Sequence, residues 1–475
     1  LFAPTRPKLG VPVALHYFDA ELNLPQQAAV QLALAADSLA LIHGPPGTGK
    51  TRTLVEVVRQ CVARGERVLV SAASNTAVDN LAERLVAAGL AVVRLGHPAR
   101  VAPEVESRTL DALVDASDAT KLAKTWTAEA EQIRRTADRR HARGALSYRE
   151  RRGMLQEAGR LLRDARTLLA SAQDIVLAQA KVLCATCAGA DTQLLKRVSF
   201  DRVVIDEAIQ AVDPISLIAL LKAPKAVLAG DPCQLPPTVI DEQAAREGLA
   251  STWFERIARA QPERVAMLRV QHRMNETLMR FPSASMYQGK LEAAPEVAKR
   301  TLEELGVLHD PGRPGALVFI DSAGRGWEEE RSVDDPSTRN KAQAERVAAE
   351  LQRLLSRGCA PSDVAVITPY EAQARLLRGL LADERSRGLE IGTVDGFQGR
   401  EKEAIIVDLV RSNPDALLGF LSDTRRMNVA LTRAKRFLLV IGDSATLGGH
   451  PYYDAFLQTA EQVGGWVSAW VDDPL

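Results

Sequence analysis

Gly44-Pro45-Pro46-Gly47-Thr48-Gly49-Lys50-Thr51 places three glycines, a lysine and a hydroxyl at a spacing that wraps a chain of phosphates. The glycines let successive backbone N–H groups turn inward onto phosphate oxygens, and a helix that starts at the end of the loop aims its positive end at them. Lys50 would reach the β and γ phosphates, and the Thr51 hydroxyl would ligate Mg2+. Such a loop needs an acid at the tip of a nearby strand. "RVVIDEAIQ", from Arg202, leaves Asp206 and Glu207 in that position. Asp206 would hold Mg2+ through water, and Glu207 would orient and deprotonate an attacking water. "VLAGDPCQLPP", from Val227, ends a further strand with Asp231 and Gln234 placed beside the γ-phosphate. The Gln234 amide can bond both phosphate and water, so it can report whether the γ-phosphate is present. The chemistry implied is hydrolysis of a nucleoside triphosphate. The ordinary alternatives, a Gly/Pro turn and a surface pair of acids, do not supply all these letters in this order.

Short apolar runs separated by helical patterns must position these residues. "LALIH", "RVLVSAA", "AVVRL", "RVVID" and "KAVLAG" precede Ser251, and "ALVFID", "DVAVITP", "LEIGTVD", "EAIIVDLV" and "RFLLVIGD" follow Arg264. Near-continuous apolar strands with helices between them predict parallel sheets covered on both faces. The pattern occurs twice, so the fold class is α/β with two domains, residues 1–262 and 263–475. A helical insertion at about 104–180 interrupts the first. Within it, Leu122, Trp126, Ala130, Ile133 and Ala137, and Leu155, Gly159, Leu162, Arg166 and Leu169, fall at helical steps that predict an antiparallel pair. Residues 121–170 carry 13 Lys and Arg against 6 Asp and Glu. That surplus suits either a solvated face or a prong touching phosphates.

Sixty basic and sixty acidic residues leave no net charge over 475 residues, so nucleic-acid binding would rest on local basic surface. Five cysteines, an odd number, exclude a disulfide framework. The lone Cys184-x-x-Cys187 lacks a second ligand pair and reads as buried, reduced thiols. No apolar run reaches the roughly 20 residues that span a bilayer. The first ten residues, beginning at Leu1 and not Met, lack the features of a leader, so a soluble, cytoplasmic protein is expected, with further material upstream possible.

Seven segments in order, "GPPGTGKT", "VSAASNTAVDNL", "VVIDEAIQ", "AGDPCQLPP", "LRVQHRMN", "IGTVDGFQGREKEAIIVDLVRSN" and "RRMNVALTRAKR", resemble the motif set of superfamily 1 helicases, specifically the Upf-like branch. The resemblance runs from about residue 22 to 444. It implies two RecA-like domains that close on ATP, and an ATP-dependent helicase or translocase moving 5′ to 3′ on single-stranded DNA or RNA and opening duplex junctions, as a monomer. It further implies that Gln26 in "LNLPQQAAV" contacts adenine with both faces of its amide. Arg273 and Arg433 would be the arginines inserted toward the γ-phosphate, where a guanidinium fork stabilises charge on phosphate oxygens. Gln398 and Glu401 would contact phosphates and ribose. His272 stands where the family more often has Tyr. Ser74, Asn75, Thr186, Thr368, Tyr370 and Thr393 would contact a single strand, mostly at phosphates, which predicts sequence-independent binding. Two other classes fit the residues. One is a clamp that hydrolyses ATP without separating strands, and the other is a P-loop kinase or switch, which the second arginine-bearing domain argues against.

Overall fold

Every apolar run named above becomes a strand. The structure is a computed structural model and describes residues 15–196, 198–332 and 335–471. The first ten residues, read for a leader, lie outside them. The first sheet comprises β1 (Leu39–His43), β2 (Val68–Ala72), β3 (Val92–Arg94), β4 (Val182–Thr186), β5 (Arg202–Asp206), β6 (Lys225–Gly230) and β7 (Val265–Met267) in the order β3-β4-β2-β5-β6-β1-β7. The pairs β3–β4, β4–β2, β2–β5 and β5–β6 are parallel. This order matters chemically: it sets the end of β6, which runs into Asp231, beside the end of β1, which runs into the glycine loop.

Beyond it come two short strands, β8 (Val270–Gln271) and β9 (Glu292–Ala293), which pair with each other. The second sheet is wholly parallel. Its strands are β10 (Leu317–Asp321), then, after the hairpin β11 (Glu330–Ser332) and β12 (Asp335–Arg339), β13 (Val364–Thr368), β14 (Glu390–Thr393), β15 (Lys402–Asp408), β16 (Ala434–Gly442) and β17 (Trp466–Ser468). They lie in the order β14-β13-β15-β16-β10-β17. Side chains alternate between two cores. Leu317 and Phe319 of β10 enter one with Ile405, Leu438 and Val440, while Val318 and Ile320 enter the other with Ile406, Leu439 and Ile441. Burial on both faces is why these strands read as unbroken apolar runs.

Packing divides the chain into two compact units. One holds residues up to Ile42, Thr51–Gly230 and Pro237–Ala266; the other holds His43–Lys50, Asp231–Pro236 and Met267 onward.

The insertion is an antiparallel pair, Asp118–Ala142 and Tyr148–Gln179, each capped by a serine. Its seam differs from the expected stripe. Leu122, Arg166 and Leu169 are exposed, and besides Thr120 and Leu177 near the outer ends the buried residues are Ala123, Ala130 and Ala137 on one helix and Ala158, Ala165 and Ala172 on the other. The expected stripe shares only Ala130 and Ala137 with this seam, because weighting by apolar bulk favoured leucines. A strict seven-residue repeat of alanine instead lets the backbones approach closely along one line. Among the described residues no helix is long and apolar enough to cross a membrane.

Candidate nucleotide and nucleic-acid sites

The glycine loop leaves β1 and ends in the helix Lys50–Ala63. Gly47 and Gly49 have φ of 74° and 76°, which only glycine adopts without strain. A Cβ on Gly44 would lie 2.8 Å from Lys50 Cβ, so the loop closes tightly over its lysine. Thr48 locks the turn by donating its hydroxyl to the Pro45 carbonyl at 2.7 Å.

At the end of β5, Asp206 is 5% exposed and accepts the Glu207 N–H at 2.8 Å. Glu207 has φ 49°, the left-handed region, where a non-glycine residue costs about 1 kcal/mol or more. The next N–H, of Ala208, returns to the Ala229 carbonyl of β6 at 2.8 Å. Gln210 donates to Glu207 Oε2 at 3.0 Å and so orients the carboxylate. Thr51 and Asp206 offer a hydroxyl and a carboxylate, hard oxygen donors of the kind Mg2+ prefers.

Within the second compact unit Arg273 packs directly on the loop. A Cβ on Gly47 would be 2.6 Å from Arg273 Cβ, and His272 N–H donates to the Gly47 carbonyl at 2.8 Å. The Arg273 guanidinium donates to Glu401 Oε2 at 2.5 Å and to the Thr432 carbonyl at 3.0 Å. Burial would raise the Glu401 pKa, but Arg273 and Lys435 hold it below the usual carboxylate range. Arg433 is buried, with its fork on backbone carbonyls: Nε donates to Val429 at 2.9 Å and Nη1 to Arg400 at 3.4 Å. Gln398 has a buried Nε2 without a hydrogen-bond partner. The structure thus groups the loop with Arg273, Glu401 and the Thr432-Arg433 turn.

Asp231 is the hub of a buried network that sequence reasoning missed. Its carboxylate accepts from Gln234 Nε2 at 2.7 Å, Tyr287 Oη at 2.8 Å and Cys233 N–H at 3.1 Å, and pairs with His43 Nε2 at 3.0 Å. Burial works to raise its pKa, and the bonds from His43, Gln234 and Tyr287 more than offset this and hold it low. Asn428 closes the network, donating to Tyr287 Oη at 2.9 Å and to the Cys233 carbonyl at 2.7 Å. One amide N–H of Gln234 is therefore committed to Asp231, which fixes how the amide is presented. His43 immediately precedes the loop, and Asn428 lies inside "RRMNVALTRAKR" on the helix that leads into Arg433. Tyr287, inside "SMYQGKL", had no signal of its own.

Two family models, each described as an AAA domain, match residues 21–242 and 249–445. The chain is 41% identical over 455 residues to the DNA-binding protein SMUBP-2 of Rattus norvegicus, covering 94% of this chain and 45% of that protein. It is 41% identical over 444 residues to the DNA polymerase alpha-associated DNA helicase A of Schizosaccharomyces pombe, covering 91% of this chain and 65% of that protein. An ATP-dependent helicase of Methanocaldococcus jannaschii is 36% identical over 502 residues, with 97% of this chain and 73% of that protein aligned. The chain belongs to the Upf-like branch of superfamily 1 helicases. It spans less than half the length of the rat protein.

The remaining residues that the Upf-like pattern singles out sit mostly at strand ends. Gln26 is buried, and its Oε1 accepts the Asn23 N–H at 3.0 Å in a capping box, so its amide is partly engaged in the helix start. Ser74 caps the helix Asn75–Ala87, and Asn75 Oδ1 accepts from buried Arg94 at 2.9 Å. Thr186 ends β4 opposite Ala72 of β2, and its hydroxyl accepts the Gly189 N–H at 3.0 Å. Thr368 and Thr393 end the paired strands β13 and β14; Thr393 Oγ1 accepts the Gly396 N–H at 3.3 Å, and Thr368 Oγ1 is buried without a partner. Tyr370 is 4% exposed, which withdraws its ring from direct contact with a strand in this conformation. Cys184 and Cys187 are free and buried, with burial pushing both thiols up to about 12, as expected for inert core residues.

Proposed function

We propose that this chain hydrolyses ATP on the Gly44–Thr51 loop and converts the turnover into 5′ to 3′ movement along single-stranded DNA or RNA, opening duplexes it meets. The reading is carried by one observation above all: an arginine from the second unit's own motif, Arg273, packs against Gly47 of the phosphate loop and shares Glu401 and the Thr432 carbonyl with the Arg433 turn. Lys50 neutralises charge on the β and γ phosphates. Glu207, its carboxylate oriented by Gln210, accepts the proton of the attacking water, while Gln234, anchored through Asp231, orients that water. Arg273 and Arg433 exchange their present carboxylate and carbonyl partners for phosphate oxygens as charge develops, an exchange worth about 10³ or more in rate. Thr51 and Asp206 would hold Mg2+, which when bound neutralises phosphate charge. Strand ends bearing Ser74, Thr186, Thr368 and Thr393 supply small donors suited to a sugar-phosphate backbone.

The test is ATPase rate with and without single-stranded DNA and RNA of matched length, followed by strand displacement on a tailed duplex. Lys50→Ala should abolish hydrolysis with the fold intact, and Arg433→Ala should cut turnover more than ATP affinity. Full activity in either variant overturns the site. Stimulated hydrolysis without displacement overturns unwinding and leaves a clamp.

A further inference from the structure

The geometry points to Phe420 as a stacking platform for a nucleobase of the bound single strand; this rests on the nucleic-acid reading above and names a contact within it. Phe420 is 56% exposed, and a lone exposed phenyl on a loose loop would mean little. This one is built in place. Its N–H donates to Tyr370 Oη at 3.3 Å, and its ring stacks on the Tyr370 ring with centroids 5.4 Å apart and planes 27° from parallel. Tyr370 is itself tied down by Arg411 Nη1 at 3.2 Å. Gly419 has φ 55°, and a Cβ there would fall 2.7 Å from Tyr370 Oη, so only glycine permits this turn. The same segment is held at both ends. Asn413 donates to the Leu417 carbonyl at 3.0 Å and accepts its N–H at 2.8 Å, and Tyr453 Oη donates to the Leu421 carbonyl at 2.8 Å.

The position and charge select the occupant. Tyr370 and Asp395 follow β13 and β14, and Arg426 lies both 3.8 Å from Asp395 and 5.2 Å from the Phe420 centroid. The platform therefore stands at the carboxyl edge of the second sheet beside Thr368 and Thr393, the edge where open α/β sheets bind ligands. Tyr370 stacks on the Phe420 ring and the Arg426 guanidinium lies over it, so a base takes the outer face as Arg426 turns from the ring to the adjoining phosphate. A protein partner would need a wider apolar patch, and Leu417 is the other large exposed apolar side chain on this segment. Stacking on a phenyl face is sequence-tolerant, in keeping with a motor that must pass every base.

The experiment titrates the full chain with a fluorescent single-stranded thymidine oligonucleotide and with the same strand made abasic, comparing the parent with Phe420→Ala and Phe420→Trp. Phe420→Ala should bind the thymidine strand roughly 5- to 100-fold more weakly, the range for one stacked base. On the abasic strand parent and Phe420→Ala should bind alike. Phe420→Trp should bind as the parent does and show added tryptophan quenching over the parent on strand binding. Equal affinity of parent and Phe420→Ala for the thymidine strand, an equal loss by Phe420→Ala on both strands, or no added quenching, overturns the platform alone. A parent that binds no single strand overturns the nucleic-acid reading itself.

Discussion

Removing one oxygen from Tyr287 gives the sharpest test of the network around Asp231. The Tyr287 hydroxyl is buried, donates to a carboxylate at 2.8 Å and accepts from Asn428 at 2.9 Å. A hydrogen bond to a charged group contributes about 1.5–3 kcal/mol. Tyr287→Phe keeps the ring and its packing, and Asp231 retains His43, Gln234 and the Cys233 N–H, so the carboxylate is not left bare. Asn428 keeps the Cys233 carbonyl at 2.7 Å. The expected loss is therefore about 2 kcal/mol, near the middle of that range and short of the 3–5 kcal/mol for stranding a buried charge. Urea unfolding followed by fluorescence measures it, with the slope unchanged. A double-mutant cycle with Asn428→Ala should show coupling of about 1 kcal/mol, since the two side chains share one bond. In the ATPase assay turnover should fall while KM for ATP moves little, because Asn428 lies on the helix Thr424–Leu431 that leads into Arg433 and not against the nucleotide loop. A loss under about 0.5 kcal/mol, with independent effects of the two substitutions, would refute the claim that this network acts as a unit.

Two further outcomes follow from burial. Asp408 is buried at the end of β15, bonded to Gln373 Nε2 at 2.6 Å and Val410 N–H at 3.1 Å, and burial raises its pKa to about 7. Its folded value lies above the unfolded one, so the folded chain holds the extra proton and stability should fall by up to about 1.4 kcal/mol per pH unit between about pH 4 and 7. Asp408→Asn should flatten that slope in unfolding titrations across the window, and an unchanged slope would clear Asp408 of the effect. In the helical insertion, Ala165→Leu should force the seam apart at about 1–3 kcal/mol, seen as faster backbone hydrogen exchange along Tyr148–Gln179. Leu169→Ala, on the exposed face, should leave exchange unchanged.

The placement of residues concentrated in short segments was legible from sequence. The glycine loop, Asp206 and Glu207 needed only a strand before them and a spacing, and both sheets announced themselves because strands buried on two faces lose their polar alternation. What stayed hidden depended on pairing across long sequence distances. Tyr287 meets Asp231 56 residues away, and nothing local marks a tyrosine as the partner of a carboxylate. The alanine seam was hidden differently. A helix pair with leucines present invites a leucine stripe, yet close backbone approach excluded them, and the seven-residue spacing of small residues was the better cue. The burial of Tyr370 was hidden for a related reason. The segment pattern marks the tyrosine, but the turn at Gly419 lays the phenylalanine over it, with Arg426 over the phenylalanine in turn.

The left-handed backbone at Glu207 has a consequence for how this position can change over evolutionary time. Glycine or asparagine would relax it at once, so random drift under selection for a sturdier fold would carry the residue toward those letters. If Glu207 is the general base proposed above, position 207 is where the demands of folding and of turnover part company.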